Sequence, residues 1–467
     1  MRFLRTFFLT TLFLLTWPLF GQPIDSALAK QYFAEMKAVS DRDDGKLWGV
    51  TLYGPMMFAD PVSHQIVANQ SDRQGKLRAE NGVFTGKLPD DLPIANTGID
   101  WAGVRWTMVM WPLPQDRRPR ERLMAHESFH RIQPRLGLEP LECSNNHLDT
   151  RIGRTWLQLE WRALSRALAT TGAIRRRAIS DALYFRALRR NLIPGAAENE
   201  NRLEANEGVA EYTGVKLSAR YPQEAALVAE LALGNGPNRS PFVRSFAYVS
   251  GPAYGILLDE SGMRWRKKLK PDSDLGVLLA RAYRISRPGQ HAKANCGIAC
   301  IDCQIACPQL PAPLVTALPT ATEAISRAQK YDGDEVVARE KEREVRQQKI
   351  IAEDRARLID GPVLVLPASP DINYSFDPNE VTAIDENNSV FGGSVQVVDS
   401  WGTLEITGGV LIVRGAKGSL ERVQIPAPVN PETSARSLSA QGWKLELRPG
   451  WKLSRGPRPQ DWSLTHE

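Results

Sequence analysis

Between Leu47 and Pro112 apolar residues recur at short intervals among turn-forming residues, in LWGVTLYG, HQIVANQ, GVFTGKLP and WAGVRWTMVMWP, a pattern that predicts short strands. In the last of these, Val104, Trp106, Met108 and Met110 fall on one face and Arg105, Thr107 and Val109 on the other, the alternation of a half-buried strand. From Arg118 to about Arg284 the apolar spacing becomes helical, as in RTWLQLEWRALSRALA, IRRRAISDALYFRALRRNL and NRLEANEGVAEYTGVKLSARY. Residues 288–320 interrupt this with clustered Cys, Pro and Ala and read as an insertion or linker. The densely charged stretch that follows predicts a solvated helix broken near Asp332 and Gly333. From Gly361 onward GPVLVLPA, VQVVDSWGTLEITGGVLIV, ERVQIPAP and WKLELRPGWKL read as strands, with the Trp-Gly and Gly-Gly steps as hairpin turns.

The expected fold class is therefore α+β. A strand-rich N-terminal part (22–114) feeds a helical core (115–287), followed by the Cys-containing insertion (288–320), a charged helix (321–360) and a small C-terminal β-domain (361–467). A chain of 467 residues is too long for one compact domain, which agrees with several folded units. The first 21 residues pair Arg2 and Arg5 with an apolar run of about 14 residues, short of the roughly 20 that a bilayer-spanning helix needs. They read as a secretory signal peptide cleaved near Gly21, leaving a periplasmic or extracellular protein without a stable transmembrane anchor. The formal charge of +6 is mild for this length and includes both of those arginines, so nucleic acid is not an expected partner.

The chemistry concentrates in RERLMAHESFHRIQ, where His126, Glu127 and His130 form H-E-x-x-H within helical sequence. Residues four apart stack on one helix face, so both imidazoles can face one zinc ion. Glu127 then projects toward a metal-activated water as a general base. Leu123 lies on the same stripe and is expected to pack beneath the site. A second helical segment, NEGVAEY at 206–212, offers Glu207 as third ligand and, one turn on, Glu211 to accept a hydrogen bond from a ligating histidine. Glu160 and His147 remain rivals for the third ligand.

HESFH together with NEGVAEY resembles the gluzincin metallopeptidases, the thermolysin-like and zinc-aminopeptidase-like enzymes, over residues 119–260. The resemblance implies a metallopeptidase core in which His126, His130 and Glu207 hold one Zn2+ per chain, Glu127 is the base and Glu211 supports a histidine. It also implies an oxyanion donor in a Y-x-x-G segment, a form that Tyr248 and Gly251 match, with Tyr254 as the alternative. The interval between His130 and Glu207 is longer than in the best-known members and leaves room for an inserted helical pair between about Asp149 and Leu192. No G-x-M-E-N segment lies upstream, so an anchor for a substrate's amino terminus is not expected. The strand at 103–111 is expected to pair with an extended substrate, as edge strands can.

Cys296, Cys300, Cys303 and Cys307 are spaced to share one helix face, and the first three match the C-x3-C-x2-C spacing of iron–sulfur radical enzymes. For an exported chain without a repeated strand-helix barrel, structural disulfides are the expectation, which requires a bend there because i,i+4 side chains on a helix lie too far apart to bridge. A second metal site and free thiols are the alternatives, and Cys143 is left odd.

The function these features point to is hydrolysis of a peptide or protein substrate by a secreted zinc metallopeptidase. Two other readings stay open. One is a non-catalytic exported binding protein with a peptidase-like metal site. The other makes the basic helix around Arg175, Arg176, Arg177, Arg186, Arg189 and Arg190 a surface for anionic polymers or lipid headgroups. Oligomeric state is not legible.

Overall fold

Strand and helix signals segregate along the chain much as the patterning predicts. The computed structural model describes residues 23–89, 92, 94–239, 241–285, 321–377, 380–385, 387–415 and 418–466. The signal-peptide segment and the four clustered cysteines lie outside these residues. By its contacts the chain divides into two compact units, Met1–Ile132 and Gln133–Glu467. Among the described residues no helix is long and apolar enough to cross a membrane.

The first unit opens with α1 (Ser26–Asp43), capped by Asp25, whose carboxylate accepts from the backbone N–H groups of Ala27 and Leu28. Six strands follow: β1 (Met56–Ala59), β2 (Gln65–Ala68), β3 (Arg78–Glu80), β4 (Val83–Lys87), β5 (Thr97–Trp101) and β6 (Val104–Met110). They pair as a mixed sheet in the order β3-β4-β2-β1-β6-β5, with β1 parallel to β6 and the other pairs antiparallel. LWGVTLYG is not a strand but a turn-rich approach to β1, and its Trp48 packs on Phe129 with ring centroids 4.9 Å apart.

The strand at 103–111 is not an edge. It lies between β1 and β5, and its central residues Trp106, Thr107, Met108 and Val109 are all buried, because a central strand is covered on both faces. The edge next to it is β5. On one face Met57, Ile66, Trp106 and Met108 share a core. On the other, Phe33 of α1 stacks on Phe58 at 4.5 Å. From β6 the chain passes into α2 (Arg117–Ile132), whose Pro119 sits in the first turn, where the missing N–H breaks no helical bond.

The second unit begins with a helical region. The helical pair expected between Asp149 and Leu192 is α3 (Arg151–Leu168) and α4 (Gly172–Leu192). Then come α5 (Ala196–Leu203), a π-helical turn at Glu204–Gly208, α6 (Val209–Ser218), α7 (Pro222–Asn235), α8 (Phe242–Glu260) and α9 (Leu275–Ala282). After the undescribed segment come α10 (Ala321–Gln329) and α11 (Gly333–Arg355), broken as expected around Asp332, whose φ of 51° no helix continues. The charged helix is less solvated than its composition suggests. One face of α11 docks on α3 through Arg154–Glu340 (2.7 Å) and Arg151–Glu344 (3.0 Å), with Glu340 buried.

The C-terminal β-rich region holds β7 (Val363–Pro367), β8 (Asn373–Ser375), β9 (Val381–Ala383), β10 (Asn388–Phe391), β11 (Val395–Asp399), β12 (Gly402–Ile406), β13 (Val410–Arg414), β14 (Leu420–Pro426), β15 (Ser437–Ala440), β16 (Trp443–Leu447), β17 (Trp451–Arg455) and β18 (Trp462–His466). Two sheets, β17-β18-β7-β14-β13-β10-β9 and β15-β16-β12-β11-β8, share one apolar core that includes Leu364, Val397, Trp401, Leu404, Ile412 and Leu445. The Trp401-Gly402 step does belong to a hairpin, whose two loop residues are Ser400 and Trp401 and whose first pair is Asp399 with Gly402. The Gly408-Gly409 step is not. It carries the chain from β12 in one sheet to β13 in the other, which alternation along the sequence cannot distinguish from a hairpin.

Candidate metal centre

Helix α2 is held firmly on its own unit. Arg120 donates from Nε and Nη2 to Glu35 of α1, at 2.8 and 3.0 Å, and its guanidinium lies 4.0 Å from the centre of the Tyr32 ring. Burial would raise the Glu35 carboxyl, but the hydrogen bonds of Arg120 and Gln31 and the charge of Arg120 hold it below its ordinary range. At the other end Arg131 Nη2 donates to the carbonyl of Leu52 (2.6 Å). Arg105 of β6 donates to the Arg131 carbonyl (3.2 Å). Edge strand β5 lies so close to α2 that a Cβ on Gly98 would come 2.9 Å from the His130 carbonyl and the Arg131 nitrogen, so glycine is required there.

On this helix the one-turn spacing brings His126 Nε2 and His130 Nε2 to 3.1 Å, with the ring planes 66° apart. Two nitrogens each about 2.0–2.1 Å from a tetrahedral zinc ion are about 3.3 Å from each other, so the pair has nearly the separation a shared cation requires. His126 is buried and His130 half-buried. Glu127 is buried, with Oε1 4.0 Å from His126 Nε2. Leu123, expected beneath the site, is half-buried.

Glu207 is positioned by an unusual piece of helix. The π-turn at 204–208 widens the spacing there, so Glu204 and Glu207, which would share a stripe on an α-helix, serve different partners. Glu204 receives Arg186. Glu207 Oε2 accepts from the Tyr248 hydroxyl (2.7 Å), and Oε1 accepts from Arg244 Nη2 (3.1 Å) and from Asn206 Nδ2 (3.4 Å). Gln133 in turn donates to Asn206 (3.0 Å).

Helix α8 reaches Glu207 because of a glycine contact. A Cβ on Gly251 would fall 2.3 Å from Gly208 Cα, and one on Gly208 would fall 3.1 Å from the Ala247 carbonyl. The Gly251 of the Y-x-x-G segment therefore permits the backbone crossing that sets Tyr248 beside Glu207.

The ligand atoms of His126, His130 and Glu207 all lie within 4.8 Å of one another, and among the described residues they are the one group of His, Cys, Asp or Glu so arranged. Two imidazole nitrogens and one carboxylate oxygen are a donor set that suits a divalent ion of the zinc type. The cluster can coordinate a metal ion.

The rivals are engaged elsewhere. Glu160 is fully buried and accepts from Arg189 Nη1 (2.6 Å), Arg186 Nη1 (3.2 Å) and the Tyr254 hydroxyl (2.6 Å). That bond also occupies Tyr254, whose hydroxyl is pushed well up by burial and the Glu160 charge. His147 Nε2 is 2.9 Å from Glu200. Glu211, expected to brace a histidine, is buried on α6 one turn after Glu207.

The basic surface expected on α4 does not exist in that form. Arg186, Arg189 and Arg190 are buried and pair with Glu160, Glu200, Glu204 and Asp274. Burial would raise the Glu200 carboxyl, yet Arg189 and Arg190 hold it well below its ordinary range. Toward solvent, Arg175 pairs with Glu260 (2.5 Å) and Arg176 donates to the Arg284 carbonyl (2.7 Å). Cys143 is half-buried and has no disulfide partner among the described residues; burial pushes its thiol up, against the lowering charges of Arg244 and Arg202.

Sequence reasoning missed Arg244, Asn206 and Gln133. Arg244 precedes Tyr248 by one helical turn, but no spacing rule marks it. Asn206 stood in the motif beside Glu207 without a role. No protein-family model, no curated protein and no solved structure matches this chain.

Proposed function

We propose that this chain is an exported zinc-dependent metallopeptidase in which His126, His130 and Glu207 hold one cation and Glu127 is the general base. The observation that carries this reading is the convergence of three ligand atoms of the right chemistry within 4.8 Å. When bound, such a cation supplies Lewis acidity, polarising a carbonyl and making water a better acid. Glu127 takes the proton of the attacking water and delivers it to the leaving amine. Glu211 steadies a ligating imidazole, as carboxylates behind metal-bound histidines do. Tyr248, whose hydroxyl donates to Glu207 in this structure (2.7 Å), would turn from that carboxylate to serve the oxyanion. Edge strand β5 offers backbone groups to an extended substrate. The apolar N-terminal run directs export.

The test is elemental analysis of the purified full chain together with hydrolysis of a quenched-fluorescence peptide library. The parent should carry one zinc per chain. His126→Ala and Glu207→Ala should lose it, while Glu127→Gln should keep it and hydrolyse about 10²–10⁴-fold more slowly. A parent that binds no zinc after zinc is added back, or a Glu127→Gln variant as active as the parent, would sink the reading.

A further inference from the structure

The peptidase reading leaves Arg244 without a role. It stands on α8 one turn before Tyr248, with 46% of its side chain open to solvent. Only Nη2 is engaged, on Glu207 Oε1, and the guanidinium makes no other hydrogen bond among the described residues. Arg202, by contrast, donates from both terminal nitrogens, to the Glu142 carbonyl (2.9 Å) and to Glu198. Arg244 therefore presents an unused donor edge to solvent beside a candidate metal ligand.

Its charge balance points the same way. Glu207 is the only carboxylate paired with Arg244 among the described residues. A dication that draws on the Glu207 charge leaves the guanidinium under-compensated, and a second anion is then favoured beside it. A guanidinium fork matches a carboxylate through two parallel N–H bonds, so the preferred anion is planar and two-oxygened. No G-x-M-E-N segment lies upstream.

We propose that Arg244 anchors a substrate carboxylate, so that this site favours peptides carrying a carboxylate next to the bond cleaved. The proposal rests on the metallopeptidase reading and adds a substrate class to it. The carboxylate is either the free C-terminus, which makes the enzyme a carboxy-terminal exopeptidase, or an acidic side chain.

Three probes separate these sources: acetyl-trialanine, its C-terminal amide, and that amide with glutamate in place of the last alanine. Their binding is measured calorimetrically on full-chain Glu127→Gln protein of known zinc content, with and without Arg244→Gln. The expected result is about tenfold tighter binding of one carboxylate probe than of the neutral amide, lost in Arg244→Gln. Arg244→Lys, which keeps the charge without the fork, should restore part of the preference and excludes a folding defect. Preference for acetyl-trialanine identifies the C-terminus, and preference for the glutamyl amide identifies a side chain. Equal or no binding of the three probes, or a preference that survives Arg244→Gln, overturns the proposal. The two readings fail separately. A zinc-loaded protein with no carboxylate preference removes the anchor but leaves the metallopeptidase. A metal-free protein whose preference depends on Arg244 keeps an anion site and removes the peptidase.

Discussion

Two clusters of ionisable side chains are built on the same stretch of helix and come to opposite ends. Around Glu204 three guanidinium groups and four carboxylates are interlocked, and Arg189 and Glu160 are completely sealed from solvent. Around Glu207, three residues later, two imidazole nitrogens and a carboxylate converge, His130 is half-buried and Arg244 reaches solvent. In the first cluster each carboxylate has a guanidinium partner, so the arrangement is a scaffold. In the second the donors share a geometry that a cation completes. Burial of glutamate is therefore no mark of function here. What differs is that two imidazole nitrogens, as well as a guanidinium, stand near Glu207.

The comparison breaks most readily at Arg189. Arg189→Met leaves Glu160 and Glu200 buried without their main counter-charge, and urea unfolding should show a loss of about 3–5 kcal/mol. If the second cluster is the working one, metal acts on stability through it. Zinc at about 100 times its dissociation constant should raise stability by about 2.7 kcal/mol in the parent and by nothing in Glu207→Ala, checked by thermal unfolding with and without chelator.

Gly251→Ala tests the crossing that joins the two clusters' helix to α8. The added methyl meets Gly208 backbone, so a loss of about 1–3 kcal/mol is expected, with weaker zinc binding in the variant that remains folded. Acid should act through Glu35 and Glu200, whereas Glu204, raised by burial, works in the opposite direction. Glu35 and Glu200 titrate below their unfolded value of about 4.3, so their contribution is complete above that pH and is lost as pH falls through the lower folded values. Urea midpoints should therefore hold steady down to about pH 5 and drop below about pH 4, with a shallower drop in Glu35→Gln. The smallest effect is expected at the exposed edge of α11. Arg162→Ala removes pairs with Asp332 and Glu335, both mostly solvent-exposed, and should cost about 0.2–1 kcal/mol, less in high salt.

Much of this molecule was legible before its fold. The order of strand-rich, helical and β-rich regions follows from apolar periodicity, and the α3–α4 pair fills the long interval before Glu207. Errors arose where local pattern has two tertiary outcomes. Gly408-Gly409 carries the chain between sheets rather than around a hairpin, and LWGVTLYG alternates like a strand yet turns. The arginines of α4 looked like a surface because sequence shows cations without showing what faces them.

The sequence by itself determined the pairing of His126 with His130, because one helical turn fixes that geometry locally. It also put Glu207 and Glu211 on a common helical segment. Only the tertiary structure decided that Glu207 rather than Glu160 or His147 joins the histidines, that Gly251 is a contact with Gly208, and that Arg244 stands beside Glu207. Those outcomes depend on how helices far apart in the chain cross. The crossings are set by side-chain volume and by the pairing of buried charge, which no local repeat encodes.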